Sequence, residues 1–242
     1  MTEPQKTALV IVAHPDDAEF GCGGTAAAWA AEGWEVTFVI CTDASGGGAD
    51  DASDVSADAR RTITETRKAE QRAATRILGV HDVVFLDHPD GRIVPSIDLR
   101  RDIVRLLRTV KPTRLVCQSP DRSWDGEYRI GRYHPDHLAV GTAVISAMYP
   151  ASQNSWDFPE LLAEGLLPHK VRELYVMGAP TINFAVDITA SWDTKVEGLR
   201  AHASQLAPQF DEIIARVREW AVDNGKLHGF DLAEVFHRTY NY

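Results

Sequence analysis

The sequence predicts an α/β fold of the Rossmann-like kind, a mostly parallel sheet with helices on both faces. Two observations carry this. Short, continuously apolar, β-branched-rich runs such as Ala8-Leu9-Val10-Ile11-Val12-Ala13 recur along the chain, the pattern of strands buried on both faces. Segments of helical character alternate with them, which implies crossover connections and parallel pairing.

Residues 8–13 give the first strand. A Gly-rich turn follows at Gly21, Gly23 and Gly24; Thr25 is then expected to cap an Ala-rich helix through Ala31, which Gly33 stops before a strand at 34–40. An acidic stretch rich in Gly, Ser and Asp, 43–58, reads as a loop long enough to suggest function or mobility. A charged amphipathic helix runs from there to Leu78, ahead of a strand at 82–86. A helix at 97–109, closed by Lys111 and Pro112, leads to a strand at 113–117 and a loop ending at His134. Past Pro150 come a Trp- and Pro-containing connection, an apolar strand at 171–177, a short one at 183–186, and helices at 194–205 and 211–224. No linker, low-complexity segment or internal repeat interrupts this order, so 1–242 is expected to form one domain.

Composition narrows the partners. The 242 residues are 44% hydrophobic, ordinary for a globular chain, and carry a formal charge of −10 spread along the sequence. Nothing there attracts a phosphate backbone or an anionic membrane, so neither nucleic acid nor membrane is expected as a partner. The apolar run at 8–13 is too short for a signal peptide and has no basic leader, and no stretch approaches the roughly 20 apolar residues of a membrane span. A cytoplasmic protein is expected. Cys22, Cys41 and Cys117 are odd in number and widely spaced, which argues against a disulfide framework or a cysteine metal site and for small buried hydrophobes.

In an open parallel sheet ligands bind beyond the carboxyl ends of the strands, so polar clusters just after strands take priority. Two stand out: His14-Pro15-Asp16-Asp17 after the first strand, and His134-Pro135-Asp136-His137 after the loop that follows Cys117. A catalytic zinc needs three protein ligands and an open position for water, and imidazole nitrogen and carboxylate oxygen both serve. A His and an Asp three residues apart in a tight turn can converge on one ion, with the remaining ligand arriving from a distant loop. Each tripeptide alone is also good turn chemistry, and His88-Pro89-Asp90 reads as that bland use. The segment Gly21-Cys22-Gly23-Gly24 lacks the full spacing of a dinucleotide fingerprint and reads as a turn allowing close helix packing.

With these residues in place, the sequence resembles the PIG-L or LmbE-like zinc N-deacetylases, which carry Ala-His-Pro-Asp-Asp, a following Gly-Gly, and a later His-Pro-Asp-His. Here these are Ala13 to Asp17, Gly23-Gly24, and His134 to His137. The likeness extends to Arg67 and Glu70, Asp90-Gly91, Lys195, and His202-Ala203-Ser204-Gln205. It implies Zn2+ held by His14, Asp17 and His137, with Asp16 as general base. His134 would stabilise the transition state, held and kept charged by Asp136. It also implies a homo-oligomer. Many relatives have an acidic residue two positions before the second motif, where this chain has Arg132.

The expected reaction is metal-assisted hydrolysis of an acetamide to acetate and a free amine. Substrate contacts are expected from Arg67, Asp90, Trp124 and His202. Aromatic and basic residues before the second motif (Trp124, Tyr128, Arg129, Tyr133) suit stacking on a sugar ring or plain loop anchoring, and Arg67 suits either a substrate oxygen or an i, i+3 pair with Glu70. The family implies an N-acetylglucosamine-type substrate. The rival substrates are a thiol-sugar conjugate or its precursor, in the mycothiol and bacillithiol manner. A rival of another class is a non-catalytic metal- or nucleotide-binding module on the same scaffold.

Overall fold

The computed structural model describes residues 6–124 and 133–242. Its elements follow in the order β1 (Thr7–Val12), α1 (Asp17–Ala31), β2 (Glu35–Thr42), α2 (Ala57–Ile77), β3 (Asp82–His88), α3 (Ile97–Val110), β4 (Arg114–Gln118), α4 (Pro135–Met148), α5 (Pro159–Ala163), β5 (Glu173–Met177), β6 (Phe184–Asp187), α6 (Trp192–Arg200), α7 (Ala203–Leu206), α8 (Phe210–His228) and β7 (Ala233–Tyr240). The strands form one sheet in the order β3-β2-β1-β4-β5-β7-β6. Strands β1 to β5 are mutually parallel, and β7 runs antiparallel to both β5 and β6.

The alternation of side chains along β1 explains why the run is apolar throughout. Ala8, Val10 and Val12 face a core shared with Ala26, Ala27 and Trp29 of α1. Leu9 and Ile11 face the opposite core, with Ile103 and Leu107 of α3 and Val140 and Val144 of α4. Both faces are covered, so every β1 residue is buried. The three cysteines are buried and free, as expected of small apolar fillers. No helix among the described residues is long and apolar enough to cross a membrane.

The chain leaves β1 toward β2 and β3 on one side and returns to β4 and β5 on the other. The β1–β4 boundary is therefore the topological switch point, where the ends of two adjacent strands diverge and leave a crevice. The two ends are tied together there, since the Ala13 N–H donates to Gln118 Oε1 at 3.0 Å.

Three expectations need correction. Helix α1 begins at Asp17, eight residues before Thr25, so the glycines lie inside it and form no turn. The helix breaks at Cys22 (φ −149°, ψ 19°), and a buried ion pair serves the break. Lys195 Nζ donates to the Phe20 carbonyl at 2.8 Å and to Glu234 Oε1 at 2.5 Å, while Glu234 accepts from the N–H groups of Gly24 and Thr25. Orphan groups on both sides of the break are thus satisfied by side chains from α6 and β7. Helix α4 and strand β7 were not anticipated, and the helix expected at 194–205 is divided at 201–202.

Close packing at the glycines does hold. A Cβ on Gly24 would stand 2.8 Å from Cβ and Cγ2 of Ile188. Gly24→Ala is expected to lower stability by about 1–3 kcal/mol through overpacking, read as a lower denaturant midpoint at unchanged slope. An unchanged midpoint shows that Ile188 gives way without cost.

Candidate metal centre

Beyond β1 the chain turns sharply. Asp16 takes a left-handed conformation (φ 82°, ψ −26°), which is uncommon for a residue with a Cβ and reverses the backbone so that α1 can start at Asp17. Asp17 Oδ2 accepts from the His14 N–H at 2.8 Å, closing the turn and leaving Oδ1 directed elsewhere. The second cluster sits at a helix start as well. His134 caps α4 with its ring, Nδ1 accepting from the Asp136 N–H at 3.2 Å, and Pro135 occupies the first turn where no N–H is missed.

These two starts meet. His14 Nδ1 lies 3.3 Å from His137 Nε2, His137 Nε2 lies 3.1 Å from Asp17 Oδ1, and His14 Nδ1 lies 3.5 Å from Asp17 Oδ2. Bonds of about 2.1 Å to a tetrahedral ion place its donors about 3.4 Å apart, and the separations in this triangle of two rings and one carboxylate, which reach both Asp17 oxygens, are of that size. Nitrogens of His14, His134 and His137 also lie within 4.8 Å of one another. The other ring nitrogen of His14, Nε2, is 3.0 Å from Asp90 Oδ1 and 3.2 Å from Asp136 Oδ2. Carboxylates there hold the ring proton on Nε2, which turns the Nδ1 lone pair into the triangle. The donor set fits a divalent metal ion.

Charge supports the same reading. Burial works against a charged His14, yet hydrogen bonds to Asp136, Asp17 and Asp90 outweigh it and raise its pKa to about 11. Burial likewise works against the Asp17 anion and is outweighed by His137 and His14, which hold its carboxyl well below the usual range. Carboxylates that gather a proton this firmly on a buried imidazole form an environment in which a cation is stabilised. Asp16 goes the other way: burial first, then the charge of Asp17, lifts it to about 7, against the opposing pull of Arg67 and His202.

A cavity of about 300 Å³ opens beside the triangle. Asp17 and His137 form part of its wall, together with apolar Phe20, Met177 and Trp220 and polar Gln118, Ser119 and Tyr133.

The model of the PIG-L family, described as GlcNAc-PI de-N-acetylase, matches residues 9–148, more than half of the chain and both clusters. The chain belongs to the PIG-L family. It is 30% identical over 230 residues to diacetylchitobiose deacetylase of Thermococcus kodakarensis, covering 95% of this chain and 81% of that one. It is 28% identical over 216 residues to a probable N-acetyl-alpha-D-glucosaminyl L-malate deacetylase of Bacillus cereus, covering 88% and 90%. Among solved structures, the N,N'-diacetylchitobiose deacetylase of Pyrococcus horikoshii superposes with a TM-score of 0.85 at 26% identity, covering 97% of this chain and 84% of that one. The enzyme is thus a hydrolytic N-deacetylase on an α/β fold.

Within this PIG-L chain the expected site residues separate into groups. His14, Asp17, His137, His134, Asp136 and Asp90 converge as described. The Asp136 carboxylate faces His14, with Oδ2 also accepting from the Gly91 N–H at 2.8 Å, and its backbone N–H donates to the His134 ring. Burial and the charges of His14 and His137 lower the His134 pKa against the opposing pull of Asp136. The third tripeptide is more than a turn, since Asp90 reaches the cluster while His88 pairs with Asp102.

Arg67 is 6% exposed and serves the first cluster, donating from Nη2 to the Pro15 carbonyl at 3.0 Å and lying 3.4 Å from Asp16 Oδ2. Its i, i+3 neighbour Glu70 accepts instead from Ser204. Trp124 is 71% exposed and stands outside the cavity wall. His202, expected to touch substrate, is fully buried against Glu19; a buried carboxylate on α1 requires a partner, and the imidazole is enclosed with it. Tyr128, Arg129 and Arg132 lie outside the described residues.

Sequence reasoning missed Glu19 and Gln71. Gln71 Oε1 accepts from the Asp16 N–H at 3.1 Å, and Gln71 Nε2 donates to Glu19 Oε1 at 2.7 Å. The available signal was the i, i+4 spacing of Gln71 from Arg67, two polar side chains on the buried face of α2.

Proposed function

We propose that the enzyme hydrolyses the acetamide of an N-acetylglucosamine-type substrate at a zinc ion held by His14, Asp17 and His137, releasing acetate and the free amine. The observation that carries this is the triangle of donors with Asp16, uncommitted to it, one residue away. Zinc there would supply Lewis acidity toward the amide carbonyl and toward water.

The chain's own residues supply the rest. Asp16 accepts the proton of the attacking water; a carboxylate whose affinity for protons is matched to neutral pH both takes a proton and gives it up. Arg67 holds Asp16 from behind and keeps it off the donor triangle. His134 has Nδ1 engaged by the Asp136 N–H, which leaves Nε2–H to donate a hydrogen bond to the developing oxyanion, while the proton taken up by Asp16 passes to the leaving amine. Asp136 and Asp90 hold His14 in the tautomer that presents Nδ1. The cavity suits a pyranose, with Trp220, 62% exposed, offering a face for the ring and Gln118, whose Oε1 holds Ala13, presenting its amide NH2 to a hydroxyl.

The test is a panel assayed with zinc-loaded protein: acetate release from N-acetylglucosamine and N,N'-diacetylchitobiose, and amine release from thiol-sugar conjugates. Acetate from the first group at rates well above the second supports the reading. Turnover confined to thiol conjugates overturns the substrate. No acetate from any compound, together with nucleotide binding, overturns the enzyme reading in favour of a binding module.

A further inference from the structure

The sequence marks out the His202-Ala203-Ser204-Gln205 segment, and its His202 is fully buried against Glu19. The segment's contacts lead to Asp16 and to the loop before α2. Asp16 is left-handed, and a residue in that conformation stays there only when its surroundings determine it. Its N–H is held by Gln71 Oε1 at 3.1 Å. The Gln71 amide can present oxygen to Asp16 only if its NH2 group has an acceptor on the other side, and that acceptor is Glu19 Oε1 at 2.7 Å. The Glu19 carboxylate is completely buried, and its second oxygen accepts no hydrogen bond from the described residues but faces His202 Nε2 at the ion-pair distance of 3.4 Å.

The rest of the segment fixes His202 and reaches further. Ser204 places both its N–H and its hydroxyl on the Glu70 carboxylate of α2, at 2.7 Å each. Gln205 Nε2 donates to the Gly47 carbonyl at 3.0 Å. Gly47 lies flat on Arg67, where an added Cβ would stand 3.0 Å from Cζ, and the neighbouring Gly46 N–H donates to Asp90 Oδ2 at 2.9 Å. The segment therefore grips two parts of the site by separate arms.

We propose that residues 202–205 are a two-armed positioning device: His202, through Glu19 and Gln71, fixes Asp16 for proton transfer, and Gln205, through Gly47, seats the 43–48 loop on Arg67 and Asp90. The proposal rests on the reading of Asp16 as base. His202 and Gln205 are positioning residues, since neither touches the reacting atoms. The proposal assigns the loop so seated to substrate binding, while Arg67 and Asp90 keep their roles behind Asp16 and His14.

The experiment uses the full chain, zinc-loaded, with N,N'-diacetylchitobiose as probe, and metal-free protein for hydrogen exchange. His202→Leu is expected to lower kcat about tenfold or more with KM little changed, because small misplacement of a catalytic group is costly. Zinc content stays at the parent level, and the Asp16 amide exchanges faster. His202→Gln, which keeps a donor toward Glu19, restores most of kcat and the slow exchange. Gln205→Ala instead raises KM about fivefold while kcat holds, the pattern of weakened uniform binding.

Equal losses in His202→Leu and His202→Gln, unchanged exchange at Asp16, or the same kinetic pattern in His202→Leu and Gln205→Ala overturn the proposal. Where His202→Leu does not fold, His202→Gln and Gln205→Ala still decide it through exchange and the KM-against-kcat split. The two readings fail separately. Full activity in Asp16→Asn alone overturns the base, whereas a His202→Leu loss undiminished in the Asp16→Asn background overturns the positioning.

Discussion

Asp16→Asn is expected to cut turnover by about 10²–10⁴-fold, the usual contribution of a positioned general base, while the protein keeps its metal and its fold. The substitution is nearly isosteric, and asparagine tolerates the left-handed conformation of residue 16 at least as well as aspartate. The backbone N–H that Gln71 holds is untouched, and the three donors belong to other residues. What is lost is proton affinity. The carboxylate has it at neutral pH because burial and the adjacent Asp17 oppose its ionisation, and an amide has none. Acetate release and bound zinc are measured on the same preparation. Full activity shows that another group takes the proton; loss of zinc shows that residue 16 belongs to the metal set.

The parts of this site that were legible in the sequence are those in which local pattern and chemistry coincide. An apolar run ending in His-Pro-Asp-Asp announces a buried strand and a polar turn at its carboxyl end, and β1 and the His14–Asp17 turn are found there. The switch point between β1 and β4 then follows from the alternation of strands and helices, which explains why residues more than a hundred positions apart meet. Other parts depend on partners that no local window contains. Gly21, Gly23 and Gly24 look like a turn, yet tertiary contacts with Lys195, Glu234 and Ile188 carry a broken helix through them. Helix α4 carries Pro at its start and many small residues, signals easily taken for an extension of the loop. Strand β7 is hidden because its polar residues find roles only in the sheet, as Glu234 does at the α1 break. His202 shows the same limit. Its motif marks it as functional, but whether it faces substrate or Glu19 is a matter of burial, which spacing does not report.

His137→Ala should remove the metal, and with it activity, while the metal-free protein stays folded. His137 sits on the first turn of α4 and is partly open to the cavity, so deleting its ring leaves space that water enters and no sealed void in the core. The remaining pair, His14 and Asp17, supplies two donors where a zinc site of this kind needs three. Asp136→Asn makes the useful contrast. Asp136 lies behind His14, accepting from its Nε2, so its loss frees the ring to rotate or change tautomer without removing a donor. Loss of such an outer partner costs about 10–100-fold in metal affinity or activity, and the His137 deletion should exceed it. Competition with a graded chelator ranks the three proteins: parent tightest, Asp136→Asn intermediate, His137→Ala weakest. The reverse order for the two variants would mean that Asp136 is itself a ligand and that His137 serves the substrate. Parent-like affinity in His137→Ala would move the ion toward His14, Asp90 and Asp136, a second cluster among the described residues able to hold one. The ranking therefore separates the donor triangle from its carboxylate support without assuming which amide is cleaved.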